Sequence, residues 1–215
     1  MEISTVLFDL DGTITDSGSG IINSVKYALK KAGRKIPPED ELRKFIGPPL
    51  QEQFMKCCGI EEKEAAEMVA LYREYYQEEG IFDNRVYDGV MEMLKTLKEA
   101  GLKIVMATSK PEKFAKMIAE HFGFAKYFDL IGGACTKKQE VIQYVLEQCK
   151  EKDREKIRMV GDRCYDMEGA NREGIRAIGV LYGYGSKEEL EEAGADGLAE
   201  TPEEVVRMIL NGMHP

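Results

Sequence analysis

Short apolar segments alternate with helical segments from residue 87 onwards, and this alternation constrains the fold more than any other feature of the sequence. The apolar segments at residues 103–107, 128–131, 157–161 and 177–181 are typical of buried strands, and stretches with helical apolar spacing separate them. Repeated strand-helix units form a mostly parallel sheet with helices on both faces. The sequence therefore predicts an α/β fold with a doubly wound, Rossmann-like core.

One more apolar strand, residues 6–8, lies near the N-terminus, and the chain between it and the alternating region has only helical signals. Apolar side chains such as Ile22, Val25 and Leu29 recur there at helical spacing. We therefore predict an inserted all-helical domain. The predicted domains are an α/β core made of residues 1–16 and 87–215, and a helical domain made of residues 17–86.

The composition excludes several classes of protein. The formal net charge is -9 and the chain has no long basic block, which argues against nucleic-acid binding. With no signal peptide, no apolar run of membrane-spanning length and an odd number of cysteines, we expect a cytoplasmic protein with no membrane partner. The only histidines are His121 and His214, which argues against a Ser-His-Asp hydrolase or a histidine-bound zinc enzyme.

Polar side chains follow three of the predicted strands, where ligands bind in open parallel sheets. These strand ends carry carboxylates or hydroxyls: Asp9 and Asp11, Thr108 and Ser109, Asp162 and Asp166. Asp9 and Asp11 are two residues apart, so they project to the same side of an extended strand. Two such carboxylates repel unless a cation lies between them or one holds a proton. This pattern favours metal-assisted chemistry or a nucleophile beside an acid/base.

Other interpretations of the acidic pair are weaker. A calcium loop of the EF-hand type requires Asp or Asn, Gly and Glu where this chain has Thr13, Ile14 and Gly20. Paired carboxylates also serve glycosidases, but the polar residues at the other strand ends have no role in that chemistry. Each motif alone is as compatible with a turn or a helix N-cap, so the functional interpretation depends on all of them together.

The sequence resembles the haloacid dehalogenase-like hydrolases. Four motifs in chain order carry the resemblance: Asp-Leu-Asp-Gly-Thr at residues 9–13, Thr108, Lys138, and Gly-Asp-Arg-Cys-Tyr-Asp at residues 161–166. The helical insertion resembles the type 1 cap of that superfamily. Ile-Gly-Pro-Pro-Leu at residues 46–50 resembles its phosphoglycolate phosphatase-like branch. The resemblance spans nearly the whole chain.

The resemblance implies different roles for the two carboxylates of the first motif. Asp9 would be the nucleophile that forms an aspartyl-phosphate, and Asp11 would protonate the leaving oxygen and then activate water. It also implies a Mg²⁺ cofactor, held by Asp9, the main-chain carbonyl of Asp11, and Asp162, with Asp166 as a ligand or a hydrogen-bond partner of one. An all-oxygen site of this kind suits magnesium.

The resemblance further implies a phosphate-binding set. Its members offer a hydroxyl, an ammonium or a main-chain N–H to the phosphate oxygens: Gly12, Thr108, Ser109 and Lys138. Lys138 is chosen because it stands three residues before Val141, as in the related phosphatases. Lys110 and Lys137 are alternatives; Lys110 is as compatible with a secondary phosphate ligand as with a loop residue, and Lys137 is interpreted as a solvated neighbour.

We thus expect a Mg²⁺-dependent phosphatase of a small phosphorylated metabolite, acting as a monomer or homodimer. The resemblance makes phosphoglycolate the leading substrate, with nucleoside monophosphates and pyrophosphate close behind. A β-phosphoglucomutase-like mutase is the alternative enzyme, and a binding protein without catalysis is the alternative outside enzymes. The helical cap would close about hinges at residues 16–17 and 83–87. Cap residues near the Gly-Pro-Pro turn are candidates for substrate recognition: Arg43, Lys44, Gln51 and Gln53.

Overall fold

The computed structural model describes residues 3–134, 137–150 and 152–211. Cys135 and His214 lie outside these described residues. The chain forms two compact units, one made of Met1–Thr15 and Val86–Pro215 and the other of Asp16–Arg85. Within the described ranges, no helix combines the length and the apolar character that crossing a bilayer requires.

The larger unit is built on a parallel sheet. In chain order, the strands of the described residues are β1 (Thr5–Phe8), β2 (Thr15–Asp16), β3 (Arg85–Val86), β4 (Lys103–Thr108), β5 (Leu130–Gly133), β6 (Ile157–Gly161), β7 (Arg176–Val180) and β8 (Gly197–Ala199). Six of them form one sheet in the order β5-β4-β1-β6-β7-β8, and every neighbouring pair is parallel. This arrangement confirms the predicted doubly wound α/β fold. β2 and β3 form a separate two-stranded sheet.

Helices occupy the connections between the strands. The α-helices of the described residues are α1 (Gly18–Lys31), α2 (Glu39–Arg43), α3 (Leu50–Cys58), α4 (Glu62–Tyr75), α5 (Val90–Glu99), α6 (Glu112–His121), α7 (Lys138–Cys149), α8 (Cys164–Arg172), α9 (Lys187–Glu192) and α10 (Pro202–Asn211). A π-helical turn, Tyr76–Gly80, follows α4. The smaller unit is therefore helical except for the strand residues at its two ends.

The central strand β1 is apolar because it is covered on both faces and paired on both edges. Val6, Leu7 and Phe8 are 0% exposed. Leu7 lies in register with Val105 of β4 on one side and Met159 of β6 on the other. Such continuous apolar runs are typical of strands in sheets with helices on both faces.

Each edge strand is held to its neighbour by an aspartate just before the strand. Asp129 donates its N–H to the Ile104 carbonyl, and its carboxylate accepts the Ile104 N–H, both at 2.8 Å. Asp196 bonds Ala177 in the same way, at 2.9 and 2.8 Å. Hydrogen bonds to a charged acceptor are stronger than neutral ones, so these pairs anchor the register of β5 and β8.

Strand β8 was not predicted from the sequence. Its three residues contain a glycine, and only Ala199 is buried, so neither length nor apolar pattern indicates a strand. Tertiary pairing with β7 creates it, since Ile178 and Val180 lie in register with its two ends. The short pair β2 and β3 was missed for the same reason, because two-residue strands have no periodicity to detect.

Candidate active site

The sheet order brings the sequence motifs to one edge. Strands β4, β1 and β6 are neighbours, so Thr108, Asp9 and Asp162 at their carboxyl ends lie side by side. The chain winds outward from β1 through β4 to β5, and then outward from β6 through β7 to β8. Ligands of doubly wound folds bind where the winding direction reverses, which here is between β1 and β6.

Three carboxylates form a buried cluster at this point. Asp9, Asp162 and Asp166 each place an oxygen within 4.8 Å of the others. The residues are 8%, 0% and 1% exposed, respectively. Buried like charges so close together are strongly unfavourable unless cations neutralise them.

Lys138, at the start of α7, supplies one of these cations. Its Nζ lies 2.7 Å from Asp9 Oδ1 and 2.8 Å from Asp166 Oδ1, and it donates to the Ala107 carbonyl at 2.9 Å. Burial lowers the pKa of Lys138, but Asp166 and Asp9 outweigh this effect and raise the pKa, so the ammonium stays charged. Its three donors face protein acceptors here, and its contact with phosphate stays a prediction.

The cluster remains short of positive charge. Burial raises the pKa of Asp9 to about 6, although Lys138 opposes the rise. Burial also raises the pKa of Asp162 well above its usual value, and the neighbouring Asp166 and Asp9 add to the effect. Lys138 balances one of the three carboxylates, and a divalent cation carries the charge that would balance the other two. The donor set is all oxygen and therefore fits Mg²⁺.

The loops around Asp162 hold its carboxylate in place. Oδ2 accepts the Tyr184 N–H at 2.8 Å, and Oδ1 accepts the Thr13 hydroxyl at 3.3 Å. Glycines leave the necessary room, because a Cβ on Gly12 or Gly183 would overlap Asp162. The turn containing Tyr184 thus contacts a member of the acidic cluster.

Helix α8 and its neighbour α9 orient Asp166. The Asp166 carboxylate accepts the Arg163 N–H at 3.1 Å, and a Cβ on Gly161 would overlap it. Glu189 of α9 accepts from Arg163 Nε at 2.7 Å and from the Cys164 N–H at 2.9 Å. The sequence did not single out Glu189, because a Lys-Glu-rich helix is typical of a solvated surface. It would support the loop that carries two of the carboxylates.

Cys164 is not suited to redox chemistry in this setting. Burial, followed by the nearby Glu189, raises the pKa of its thiol to about 11. The thiolate is the reactive form, so this cysteine is protonated at neutral pH. The raised pKa of the thiol therefore favours a packing role for Cys164 over reversible oxidation.

Asp11 lies outside the acidic cluster and has a different cation. Its Oδ2 is 3.0 Å from Lys110 Nζ, in a pair whose side chains are 18% and 7% exposed. The Lys110 N–H donates to Thr108 Oγ1 at 3.2 Å. The side chains of Lys138 and of one of its two alternatives, Lys110, are thus buried beside the predicted site residues, whereas Lys137 is exposed.

Gly12 closes the turn after β1. Its N–H, expected to bind phosphate, donates to the Thr15 carbonyl at 2.7 Å, and its contact with phosphate stays a prediction. The glycine is needed because its φ of 85° is unfavourable for other residues and because Asp162 occupies the space of a Cβ. Ser109, half-buried after Thr108, keeps its predicted position at the strand end.

Comparison with known proteins identifies the family. Residues 6–180 match the model of the haloacid dehalogenase-like hydrolases. The chain belongs to the haloacid dehalogenase-like hydrolases. A 5'-nucleotidase from Pseudomonas aeruginosa is 44% identical to this hydrolase over 190 residues, 86% of each chain. A phosphoglycolate phosphatase from Vibrio parahaemolyticus is 28% identical, over 97% of this chain and 96% of its own.

Solved structures show the same fold. A crystal structure of a predicted phosphatase from Clostridium acetobutylicum superposes on this hydrolase with a TM-score of 0.92 and 42% identity, covering 97% of this chain and 99% of that one. The family match and the phosphatase relatives establish that this hydrolase is a phosphatase. The resemblance carried by the four motifs is confirmed at that level.

Proposed function

We propose that this phosphatase hydrolyses phosphomonoesters of small metabolites in a Mg²⁺-dependent reaction, through an aspartyl-phosphate at Asp9. The observation that carries the assignment is the accessibility of Asp9 within the acidic cluster. Its side chain is 12% exposed, whereas that of Asp166 is 1% exposed and Asp162 is 0% exposed. Asp9 can therefore reach a substrate, while the other two carboxylates are enclosed by protein.

The acidic cluster is the proposed magnesium site. Asp9, Asp162 and Asp166, with the main-chain carbonyl of Asp11, would hold the ion. Bound there, Mg²⁺ would neutralise charge on the transferring phosphoryl group. The contacts of Thr13 and Tyr184 to Asp162 would keep one carboxylate in position before the ion binds.

The chain's own residues supply the bond changes. Asp9 attacks phosphorus, and the leaving oxygen departs with a proton from Asp11. Water then attacks the aspartyl-phosphate and gives its proton to Asp11. The Lys138 ammonium lies next to Asp9 and opposes the rise in the pKa of Asp9. Because that pKa is about 6, most of the Asp9 carboxylate is ionised at neutral pH and can act as the nucleophile. Thr108 Oγ1 accepts the Lys110 N–H, which leaves the hydroxyl proton for a phosphate oxygen.

The relatives support an order for testing substrates. The relative at 44% identity is a 5'-nucleotidase, and the one at 28% is a phosphoglycolate phosphatase. Nucleoside 5'-monophosphates therefore come first in a substrate panel, ahead of phosphoglycolate, the leading substrate by resemblance. Pyrophosphate completes the set of candidates.

The test is phosphate release from this panel, measured with Mg²⁺ and with EDTA. We expect turnover of at least one monoester with Mg²⁺, none with EDTA, and none for Asp9→Asn. Lys137→Met, a change at an exposed position beside Lys138, is the matched control and should keep wild-type activity. Release of no phosphate from any compound would favour a binding protein, and isomerisation of a sugar phosphate with a bisphosphate primer would favour a mutase.

A further inference from the structure

Each of the two carboxylates of the first motif, Asp9 and Asp11, forms an ion pair with a different lysine whose side chain is buried. Lys138 contacts Asp9, at 2.7 Å, and Asp166. Lys110 contacts Asp11, at 3.0 Å, with its side chain 7% exposed. The two aspartates follow the same strand only two residues apart, yet each has its own cation. This separation gives Lys110 a function distinct from that of Lys138.

The main chain of Lys110 is fixed by contacts with the end of β4 and with β5. Its N–H donates to Thr108 Oγ1 at 3.2 Å, at the end of β4. On the other side, β5 approaches so closely that a Cβ on Gly133 would overlap the Lys110 carbonyl. Pro111 follows and restricts the backbone of Lys110 further. These contacts place the ammonium against Asp11 from a rigid base.

The two oxygens of Asp11 have different surroundings. Oδ2 is paired with Lys110, whereas Oδ1 is buried and has no hydrogen-bond partner in the described part of the chain. A buried carboxylate oxygen without a partner is costly unless a ligand or water supplies a donor. The Asp11 side chain as a whole is 18% exposed, so the carboxylate can meet a reacting molecule while Lys110 holds it by Oδ2.

We propose that Lys110 is a positioning residue that holds Asp11 by Oδ2 and so orients its carboxylate towards the water that cleaves the aspartyl-phosphate. The inference rests on the proposed role of Asp11 in the hydrolytic reaction. In this step the water oxygen bonds phosphorus, the bond between phosphorus and Asp9 breaks with its electron pair returning to the Asp9 carboxylate, and the water proton passes to the Asp11 carboxylate. Lys110 itself touches no reacting atom.

Separate measurement of the two half-reactions tests this role. With p-nitrophenyl phosphate and Mg²⁺, formation of the aspartyl-phosphate releases nitrophenol, and its hydrolysis releases phosphate. For Lys110→Met we expect a burst of about one nitrophenol per active site, followed by turnover reduced about 10- to 100-fold from wild type. KM for the substrate should not rise, because nitrophenolate is a good leaving group and its departure in the first step needs no proton from Asp11.

Matched variants separate positioning from other effects. Lys110→Arg keeps the cation and should restore most of the turnover, and Lys113→Met, at an exposed lysine of α6, should behave as wild type. Thermal unfolding shows whether each variant folds. Where Lys110→Met does not fold, Lys110→Gln replaces it, because glutamine keeps a hydrogen-bond donor for Asp11 without the charge.

Each outcome decides the question. Wild-type turnover in Lys110→Met, or a loss without a burst and with a raised KM, overturns the inference; the second result would make Lys110 a phosphate ligand. In both cases the proposed phosphatase reaction would stand. Failure of the wild-type enzyme to release nitrophenol with Mg²⁺ would instead overturn the aspartyl-phosphate mechanism, and the role of Lys110 with it.

Discussion

Replacement of Lys138 with methionine tests whether the acidic cluster is balanced as the structure indicates. The change removes a cation whose side chain is 5% exposed and which lies 2.7 and 2.8 Å from two carboxylates. Methionine has a similar length but no charge, so Asp9, Asp162 and Asp166 would keep their mutual repulsion without the ammonium. Removal of one partner from a buried ion pair costs about 3–5 kcal/mol.

The assay is thermal unfolding in EDTA. For a chain of this size a loss of 3–5 kcal/mol corresponds to a fall in Tm of roughly 6–20 °C. Saturating Mg²⁺ should narrow the difference in Tm between the variant and wild type. The bound ion would supply the positive charge that the variant lacks, and a ligand that binds the folded state raises its Tm. The variant should nevertheless lose turnover, because Lys138 also lies beside the nucleophile.

The matched control is Lys137→Met, which removes the same charge at an exposed neighbouring position and should leave the Tm unchanged. A Tm for Lys138→Met equal to that of wild type in EDTA would refute the argument, since the carboxylates would then not depend on the buried ammonium. A lowered Tm that is the same for Lys138→Met and Lys137→Met would point to net charge rather than to the cluster.

Two further changes probe the supports of the site and the sheet. Gly12→Ala should lower both stability, measured by unfolding, and Mg²⁺ affinity, measured by calorimetry, because the position has a positive φ and its Cβ would overlap Asp162. The control is Gly101→Ala, which has a similar φ but open space around the Cβ. A loss of Mg²⁺ affinity in Gly101→Ala as well would contradict the explanation. Asp129→Asn should be less stable than wild type at neutral pH. Burial raises the pKa of Asp129, but the Lys98 and main-chain hydrogen bonds outweigh it and lower the pKa, so this stability is present above the unfolded pKa and lost as pH falls through the folded one. Unfolding curves whose difference does not shrink in acid would contradict it.

The carboxyl ends of the strands could be located from the sequence because buried apolar residues are followed there at once by polar or charged ones. Val6, Leu7 and Phe8 form an apolar run that stops at Asp9, and the same change occurs before Asp162. Parallel strands place such ends at one edge, so proximity followed from the fold class alone. The predicted fold class and family are confirmed, and the site assignments stay predictions that the geometry supports.

The contacts between side chains of distant segments could not be predicted from the sequence. Glu189 lies on a helix with a solvated pattern, and its contacts to Arg163 and Cys164 depend on how α9 packs beside α8. Strand β8 exists only because β7 offers an edge to pair with. Neither feature has a local signal, since both depend on neighbours distant in the chain.

Local sequence therefore accounts for the alternation of strands and helices, the helical insertion and the positions of the acidic motifs, because these depend on periodicity and on residue type at strand ends. Tertiary structure alone decides which lysine serves which carboxylate. The sequence favours Lys138 for phosphate but gives no carboxylate partner for either lysine. In the structure Lys110, after β4, contacts Asp11, and Lys138, at the start of α7, contacts Asp9. The physical reason is that a buried charge is stabilised only by groups within a few ångströms, and those distances are set by packing between segments.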